Sequence, residues 1–103
     1  MPELAGFQKK HLRGLAHSLK PTVQVGDAGV TEPIVAEVEA ALASHELIKV
    51  RLHGPEHKKA MAAELAERTR SVLCGLVGHT VILYRADPED PRVRVPARGE
   101  AGR

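Results

Sequence analysis

Apolar and basic residues occupy opposite faces of a helix predicted near the start of the chain. With a turn of about 100° per residue, apolar side chains share one half of the helical wheel: Leu4, Phe7, Leu12, Leu15, Ala16 and Leu19. Basic side chains share the other half: Lys9, Lys10, Arg13, His17 and Lys20. No acid interrupts this basic stripe, so we expect the helix to pack on its apolar side and present positive charge outward.

The next segment predicts a short strand that leads into a second helix. Pro21 ends the first helix, and residues 22–26 have the composition of a strand. Thr31 is a typical N-cap, and Pro33 is tolerated in the first turn, where a missing N–H costs little. The second helix is predicted to continue to about Ser44, with an amphipathic, acidic body.

A second strand and a third helix follow. Residues 47–53 alternate apolar with basic side chains, which predicts a strand with one buried face and one solvated basic face. Gly54 and Pro55 break this strand. Residues 56–70 then have helical periodicity, with apolar side chains on one side.

The last regular segment predicts a hairpin. Residues 72–77 and 80–85 are two apolar runs joined by Gly78 and His79, and glycine at the first turn position is typical of a type II′ turn. The complete order is therefore αβαβαββ. Right-handed β-α-β crossovers give parallel strands and the hairpin adds an antiparallel one, so we predict an α/β domain with a mixed four-stranded sheet and packed helices.

Length and composition favour one domain with a tail. A chain of 103 residues supports a single core, which we assign to residues 1–86. Residues 87–103 contain three prolines and four arginines with few apolar residues, and they are predicted to be unstructured because they cannot offset the entropy of folding. The arginines either add non-specific attraction to RNA or only improve solubility: Arg92, Arg94, Arg98 and Arg103.

The small net charge of +2 is unevenly distributed. Residues 1–20 carry four Lys and Arg residues against one acid, a net charge of +3. Residues 27–46 carry five acids and no Lys or Arg, a net charge of −5. This segregation makes a basic face possible although the total is close to neutral.

A Gly-x-x-Gly loop lies between the first strand and the second helix. Gly26 and Gly29 have no Cβ, so a nucleic-acid backbone can approach the main chain there, and the helix that Thr31 opens directs its first N–H groups toward the loop. In KH domains a loop of this form clamps the nucleic-acid backbone. Asp27 puts a negative charge at this point, and we expect its carboxylate to turn back onto local N–H groups as an Asx turn.

Five blocks, in order over about residues 3–86, resemble the CRM domain (chloroplast RNA splicing and ribosome maturation), in particular its free-standing YhbY-like bacterial members. The blocks are LRGLAHSLKP from residue 12, VQVG from 23, GVTE from 29, HELIKV from 45 and GHTVILYR from 78. The resemblance implies a fold similar to the C-terminal domain of bacterial initiation factor three, and association with precursor large ribosomal subunits during assembly. The chain departs from the family at Asp27, where a basic residue is common.

The predicted function is non-catalytic RNA binding in the cytoplasm by a monomer. One Phe, one Tyr and no Trp leave no base-stacking platform, which favours backbone and shape recognition of structured RNA, such as rRNA in a pre-ribosomal particle. We assign phosphate attraction to Lys9, Lys10, Arg13, His17 and Lys20, close backbone approach to Gly26, Gly29 and Thr31, and secondary contacts to Lys49 and Arg51.

Two other interpretations remain open. The acidic second helix or the exposed sheet face is also compatible with a protein-interaction module that binds a ribosomal protein or assembly factor. DNA binding through the basic face is the third interpretation, although no recognition helix with base-reading side chains is evident.

The sequence contains no motif typical of an enzyme, a metal-binding protein or an exported protein. The serines have no nucleophile elbow and no phosphate-binding Lys-Ser/Thr loop is present, so neither an enzyme nor a cofactor is predicted. His53 and His57 are separated by Gly54 and Pro55, so we predict no metal site. Neither a signal peptide nor a membrane span is expected, and Cys74, the single cysteine, is predicted to be a small buried residue in a reducing cytosol.

Overall fold

A computed structural model of the chain describes residues 4–54 and 56–97. It contains the predicted elements in the predicted order. The helices are α1 (Gly6–Ala16), α2 (Glu32–His45) and α3 (Lys58–Thr69), and the strands are β1 (Val23–Val25), β2 (Leu47–Leu52), β3 (Val72–Val77) and β4 (Thr80–Tyr84). The predicted α/β class and mixed four-stranded sheet are confirmed. The predicted break at Pro55 lies outside the described residues.

The sheet has the strand order β1-β2-β4-β3. β1 and β2 are parallel, whereas β4 is antiparallel to both β2 and β3. β2 and β3 therefore run in the same direction, as expected for a β-α-β connection, but β4 lies between them. Residues 81–84 of β4 are all buried, so the strand of the hairpin that lies inside the sheet is also its more buried strand.

Helices cover the two faces of the sheet unequally. α2 and α3 pack on one face over the main core, which contains Val25, Val38, Leu42, Val50, Leu65, Val81 and Leu83. α1 packs on the opposite face over a smaller core, which contains Leu12, Ala16, Leu47, Cys74, Ile82 and Tyr84. Because one helix cannot cover four strands, part of the second face stays open.

Local signals explain where α2 and the hairpin turn begin. The Thr31 Oγ1 atom accepts a hydrogen bond from the Ile34 N–H at 3.4 Å, so Thr31 is the predicted N-cap, and Pro33 lies in the first turn. At the hairpin, Gly78 has a φ of +60° and Val77 pairs with Thr80. A positive φ at the first of two turn residues agrees with the predicted type II′ turn.

α1 ends earlier than its apolar pattern predicts. The helix stops at Ala16, and the Lys49 Nζ atom on β2 donates to the carbonyl oxygens of His17 at 3.2 Å and Leu19 at 2.9 Å. Leu15 and Leu19 were expected to face inward but are 44% and 39% exposed. This part of the prediction is wrong for two reasons: Leu19 lies beyond the end of the helix, and Leu15 lies within the helix but beside its buried face, which Leu12 and Ala16 define.

Residues 87–97 differ from the predicted unstructured tail. The Glu46 carboxylate accepts hydrogen bonds from the backbone N–H groups of Asp87 at 2.7 Å, Arg92 at 2.7 Å and Val93 at 2.9 Å. Val93 and Val95 pack against the smaller core, and the Gln8 side chain donates to the Pro96 carbonyl oxygen at 3.0 Å. We call residues 87–96 the strap. The predicted contribution of Arg98 and Arg103 lies outside the described residues.

Glu46 connects the strap to the domain. It is fully buried and has a φ of +60°, which is unusual for a residue with a side chain. Burial by itself raises the pKa of the Glu46 carboxyl, but the three N–H donors and the Arg92 guanidinium outweigh burial and lower that pKa. The strap is therefore ordered by a buried charge, which a composition argument does not detect.

Candidate nucleic-acid interface

The Gly-x-x-Gly loop, the end of β2 and the hairpin turn meet at one edge of the sheet. β1 and β2 are parallel, so their carboxyl ends share this edge, and the His53 N–H donates to the Val25 carbonyl oxygen at 3.0 Å. The Leu52 N–H donates to the carbonyl oxygen of His79 in the hairpin turn at 2.7 Å. In open α/β sheets, ligands bind outside the carboxyl ends of parallel strands.

The loop is an exposed backbone turn. The Gly29 N–H donates to the Gly26 carbonyl oxygen at 3.0 Å, and Gly29 has a φ of +77°, a conformation that favours glycine. A Cβ built on Gly26 has no atom within 4 Å, so the main chain there is open to solvent. Gly29 permits the backbone conformation of the turn, and neither glycine puts a side chain over it.

Several N–H groups of this turn and of the start of α2 have no acceptor within residues 4–54 and 56–97. They belong to Asp27, Ala28, Val30 and Glu32. Thr31 differs, because its N–H donates to the Gly29 carbonyl oxygen at 3.0 Å. Unpaired N–H groups at the start of a helix are favourable neighbours for a phosphate oxygen.

The Asx turn expected at Asp27 is absent from the part of the chain that the structure describes. Main-chain atoms of Gly26 and Gly29 close the turn, and the Asp27 side chain is exposed without a hydrogen bond to a neighbouring N–H. This expectation is wrong because the Gly29 N–H, at a positive φ that glycine permits, closes the turn onto the Gly26 carbonyl oxygen without help from a side chain. The carboxylate therefore stays in solvent beside the unpaired N–H groups.

Arg68 on α3 supports the loop from behind. Its guanidinium donates to the Val30 carbonyl oxygen at 3.2 Å, to Glu64 at 3.3 Å and to Glu32. The pairing with Glu64 follows from the i,i+4 spacing, but the two contacts with the loop and α2 join distant segments. Arg68 thereby neutralises an acid at the first turn of α2, and sequence spacing gives no signal for this role.

The predicted basic residues separate into two groups. Four are exposed: Lys10, His17, Lys20 and Arg51. Lys9, Arg13 and Lys49 are half-buried. Lys49 holds the end of α1, as described above, and Arg13 turns toward the sheet, where its Nη1 atom donates to the Cys74 carbonyl oxygen at 2.7 Å. The basic stripe is therefore partly a structural seam between α1 and the sheet.

The open part of the second sheet face carries polar side chains. Gln24, Arg51 and Thr80 are register partners across β1, β2 and β4, and we call them the polar row. Their neighbours Val50 and Val81 point into the main core on the other face. The His53 Nε2 atom and the Gln24 Oε1 atom are 2.6 Å apart. The sequence analysis named Arg51 as a contact but not Gln24 and Thr80, which strand register places beside it, nor His53, which follows β2.

Three of the five acids between residues 27 and 46 are paired with distant arginines. Glu32 pairs with Arg68, Glu39 with Arg85 at 2.8 Å, and Glu46 with Arg92 at 3.8 Å. Asp27 and Glu37 are exposed. The acidic charge that the sequence concentrates between residues 27 and 46 is therefore largely compensated in space.

Candidate metal ligands and membrane-spanning helices can be sought in the described ranges, 4–54 and 56–97. They hold no group of three His, Cys, Asp or Glu side chains arranged to bind a metal ion. None of their helices has the length and apolarity needed to cross a membrane.

Comparison with known proteins gives consistent matches over most of the chain. The model of the CRS1/YhbY (CRM) domain matches residues 4–85. An RNA-binding protein of Haemophilus influenzae is 38% identical over 100 residues, which cover 95% of this chain and 100% of the relative. The "Probable RNA-binding protein YqeI" of Bacillus subtilis is 37% identical, over 90% of this chain and 99% of the relative. The solution structure of the Staphylococcus aureus protein SAV1595 has a TM-score of 0.80 and 36% identity, and covers 90% of this chain and 99% of that chain.

Proposed function

The chain belongs to the CRS1/YhbY (CRM) domain family, and from this membership we propose that it is a non-catalytic RNA-binding protein. The names of the Haemophilus and Bacillus relatives support RNA as the partner. The observation that carries the proposal in this chain is the bare turn between Gly26 and Gly29, with its unpaired N–H groups at the start of α2. Such groups bind phosphate oxygens without reading sequence.

Exposed basic side chains supply further attraction to phosphate. Lys10, His17 and Lys20 belong to α1 and the segment after it, while Arg51 belongs to the open sheet face next to the loop. Neutralising phosphates releases counterions, and this release provides most of the affinity of a sequence-independent contact. Arg13 and Lys49 contribute mainly by holding α1 against the sheet.

The proposed target is structured rRNA in a precursor of the large ribosomal subunit, and the proposed role is in its assembly in the cytoplasm, with the protein acting as a monomer. The resemblance to YhbY-like proteins supports this target. The low aromatic content agrees with it, because Tyr84 is buried and the chain has no Trp, so recognition relies on backbone and shape more than on stacking.

The protein-interaction alternative receives less support from the charges. It relies on an acidic surface along α2, but Glu32 and Glu39 each pair with an arginine from another segment, which leaves Glu37 as the exposed acid on the body of this helix. A paired carboxylate offers little net charge to a basic partner. The exposed cations and the bare turn have no use in that interpretation.

A salt series with single charge reversals tests the proposal. The purified protein is titrated with a structured fragment of large-subunit rRNA at several salt concentrations, beside Lys10→Glu, Lys20→Glu and Arg51→Glu. With four or five phosphate contacts, log affinity should fall against log salt with a slope of roughly −3 to −4.5. Each reversal should weaken binding and make the slope shallower by roughly 1.

Arg70→Glu is the matched control, because it makes the same change in net charge at an exposed position that ends α3. α3 packs on the other face of the sheet, so this variant should keep nearly the parental affinity. Equal losses of RNA affinity in all four variants would mean that binding depends only on the total charge of the protein and not on the position of each cation. No binding even at low salt would contradict the RNA proposal and favour a protein partner.

A further inference from the structure

The polar row crosses the sheet directly beside the Gly-x-x-Gly loop. Gln24 is register partner of Arg51, and Arg51 is register partner of Thr80. Neighbouring strands lie about 4.8 Å apart, so the three side chains begin within about 10 Å of one another. β1 leads directly from Gln24 to the loop at Gly26. A nucleotide whose phosphate lies at the loop therefore has the row within reach of its base.

The hydrogen bond between Gln24 and His53 determines which groups the row can offer. A glutamine Oε1 atom only accepts, so the His53 Nε2 atom at 2.6 Å must be the donor. One lone pair of the Gln24 Oε1 atom is thereby occupied, while both N–H donors of the amide remain. Gln24 and His53 are both exposed, so this pair is formed on the surface.

Arg51 adds further donors at the centre of the row. Its guanidinium has five N–H donors and no acceptor, is exposed, and has no hydrogen bond or ion pair with any residue that the structure describes. The Thr80 hydroxyl can donate or accept. At the end of the same row, Val77 on β3 pairs with Thr80 and is 62% exposed, which gives an apolar surface next to the donors.

We infer that the polar row is a base-reading subsite for an unpaired nucleotide, and that it selects the keto bases guanine and uracil. Guanine presents two adjacent acceptors, O6 and N7, that match a donor fork, and uracil presents two carbonyl oxygens. Adenine has an amino donor at the position of guanine O6, and cytosine has one at the position of uracil O4, so on these edges the two bases present donors to the donors of the row. The subsite needs no aromatic ring, because hydrogen bonds read the base and Val77 contacts it. This inference rests on the proposed RNA binding.

Hairpin RNAs that differ only in the loop test this selection. The probes share one stem and carry a loop of about eight nucleotides made of G and U or of A and C, since unpaired loops are where proteins read RNA sequence. The parental protein should bind the G/U loop at least about fivefold more tightly, the size of a modest base-specific contact. Arg51→Lys keeps the charge but loses the fork, and Gln24→Leu removes the amide donors. In both variants the ratio of the affinity for the G/U loop to the affinity for the A/C loop should fall close to one. The slope of log affinity against log salt should stay unchanged.

Lys20→Ala is the control, because it removes an exposed cation outside the row. It should weaken binding to both loops equally and leave the ratio intact. The thermal unfolding of each variant is also measured. If it is unchanged, a loss of loop preference is not caused by unfolding of the variant. Equal affinity of the parental protein for both loops would overturn the subsite and leave RNA binding standing, as would a preference that survives both row variants. Failure to bind either hairpin at low salt would overturn RNA binding itself.

Discussion

The Arg13 guanidinium donates to the Cys74 carbonyl oxygen at 2.7 Å, and this contact joins α1 to an irregularity in β3. The register between β3 and β4 shifts between Leu73 and Gly75, so Cys74 has no partner in the ladder. A bulge leaves backbone groups of the extra residue unpaired. Arg13 satisfies one of them, and Gly75 leaves room for the side chain: a Cβ there would lie 2.5 Å from the Arg13 Cδ atom.

Arg13→Ala should therefore reduce stability as well as RNA affinity. Losing a hydrogen bond from a charged group to a part-buried carbonyl costs about 1 to 2 kcal/mol of unfolding free energy. Lys10→Ala removes the same charge from an exposed position on the same helix and should leave stability within about 0.5 kcal/mol. Urea unfolding of both variants measures the difference. Equal stability of the two would mean that the Arg13 contact contributes nothing to folding.

Gly75→Ala tests the same packing from the sheet side. The added methyl group collides with the Arg13 side chain rather than with backbone, so the arginine must move. We expect a loss of about 1 to 3 kcal/mol in the parental background, the usual cost of overpacking. In the Arg13→Ala background the arginine side chain is absent, so Gly75→Ala should cost much less unfolding free energy than in the parent. Additive effects in this double-mutant cycle would contradict the packing argument.

Glu46→Gln should loosen the strap. One amide oxygen cannot replace a carboxylate that accepts three N–H groups, and the amide N–H₂ would face donors. We expect a loss of about 1.5 to 3 kcal/mol of unfolding free energy, the range for hydrogen bonds to a charged group. Glu37→Gln is the control, because that side chain is exposed on α2. Faster proteolysis between residues 87 and 96 in the Glu46 variant alone would identify the strap as the segment released.

Acid should have the same effect as the Glu46→Gln substitution. The folded protein lowers the pKa of the Glu46 carboxyl below its ordinary 4.5, so the unfolded chain binds the proton more readily. The stabilisation is complete above pH 4.5 and is lost as the pH falls through the folded pKa. Urea unfolding should therefore show a difference in unfolding free energy between the parent and Glu46→Gln. This difference should be constant near neutral pH and should become smaller below pH 4.5. A difference in unfolding free energy that does not change with pH would contradict the stabilisation of the fold by the ionised Glu46 carboxylate.

The sequence predicts what depends on neighbours along the chain. The helical period of α1, the Thr31 cap and the Gly78 turn follow from local preferences, and the structure contains all three. The loop glycines belong to the same class, because a positive φ at Gly29 is a local requirement. These signals are sufficient for the order of elements and the location of the candidate loop.

Long-range polar contacts escape the same reasoning. Glu46 counts as one more surface acid in a charge tally, yet it is buried and orders a segment more than 40 residues away. Arg13 and Lys49 fit a basic stripe by spacing, but each bonds to a backbone carbonyl that only the folded chain brings near. The polar row likewise depends on strand register, which places Gln24 beside Arg51. A charged side chain has several possible partners, and sequence does not state which one tertiary packing selects.

Cys74 should be unreactive in the folded protein. Burial raises the pKa of the Cys74 thiol to about 11, while Lys9 and Arg13 nearby reduce that increase only in part. At pH 7 roughly one molecule in ten thousand then carries the reactive thiolate. Alkylation by iodoacetamide should be roughly 100-fold slower in native protein than in urea, where the thiol is solvated. Similar rates in both conditions would mean that β3 opens readily.

Asp27→Lys tests how close RNA comes to the loop. The Asp27 carboxylate is exposed near four N–H groups that have no acceptor among the described residues, and two like charges about 4 Å apart repel by roughly 1 to 4 kcal/mol. Removing that repulsion and adding a cation should raise affinity at least about fivefold at low salt and steepen the salt slope by roughly 1. Glu37→Lys makes the same change in charge on the body of α2 and should raise affinity much less. If both variants bind like the parent, phosphate does not approach the loop, and the exposed cations of α1 and β2 are left as the RNA contacts.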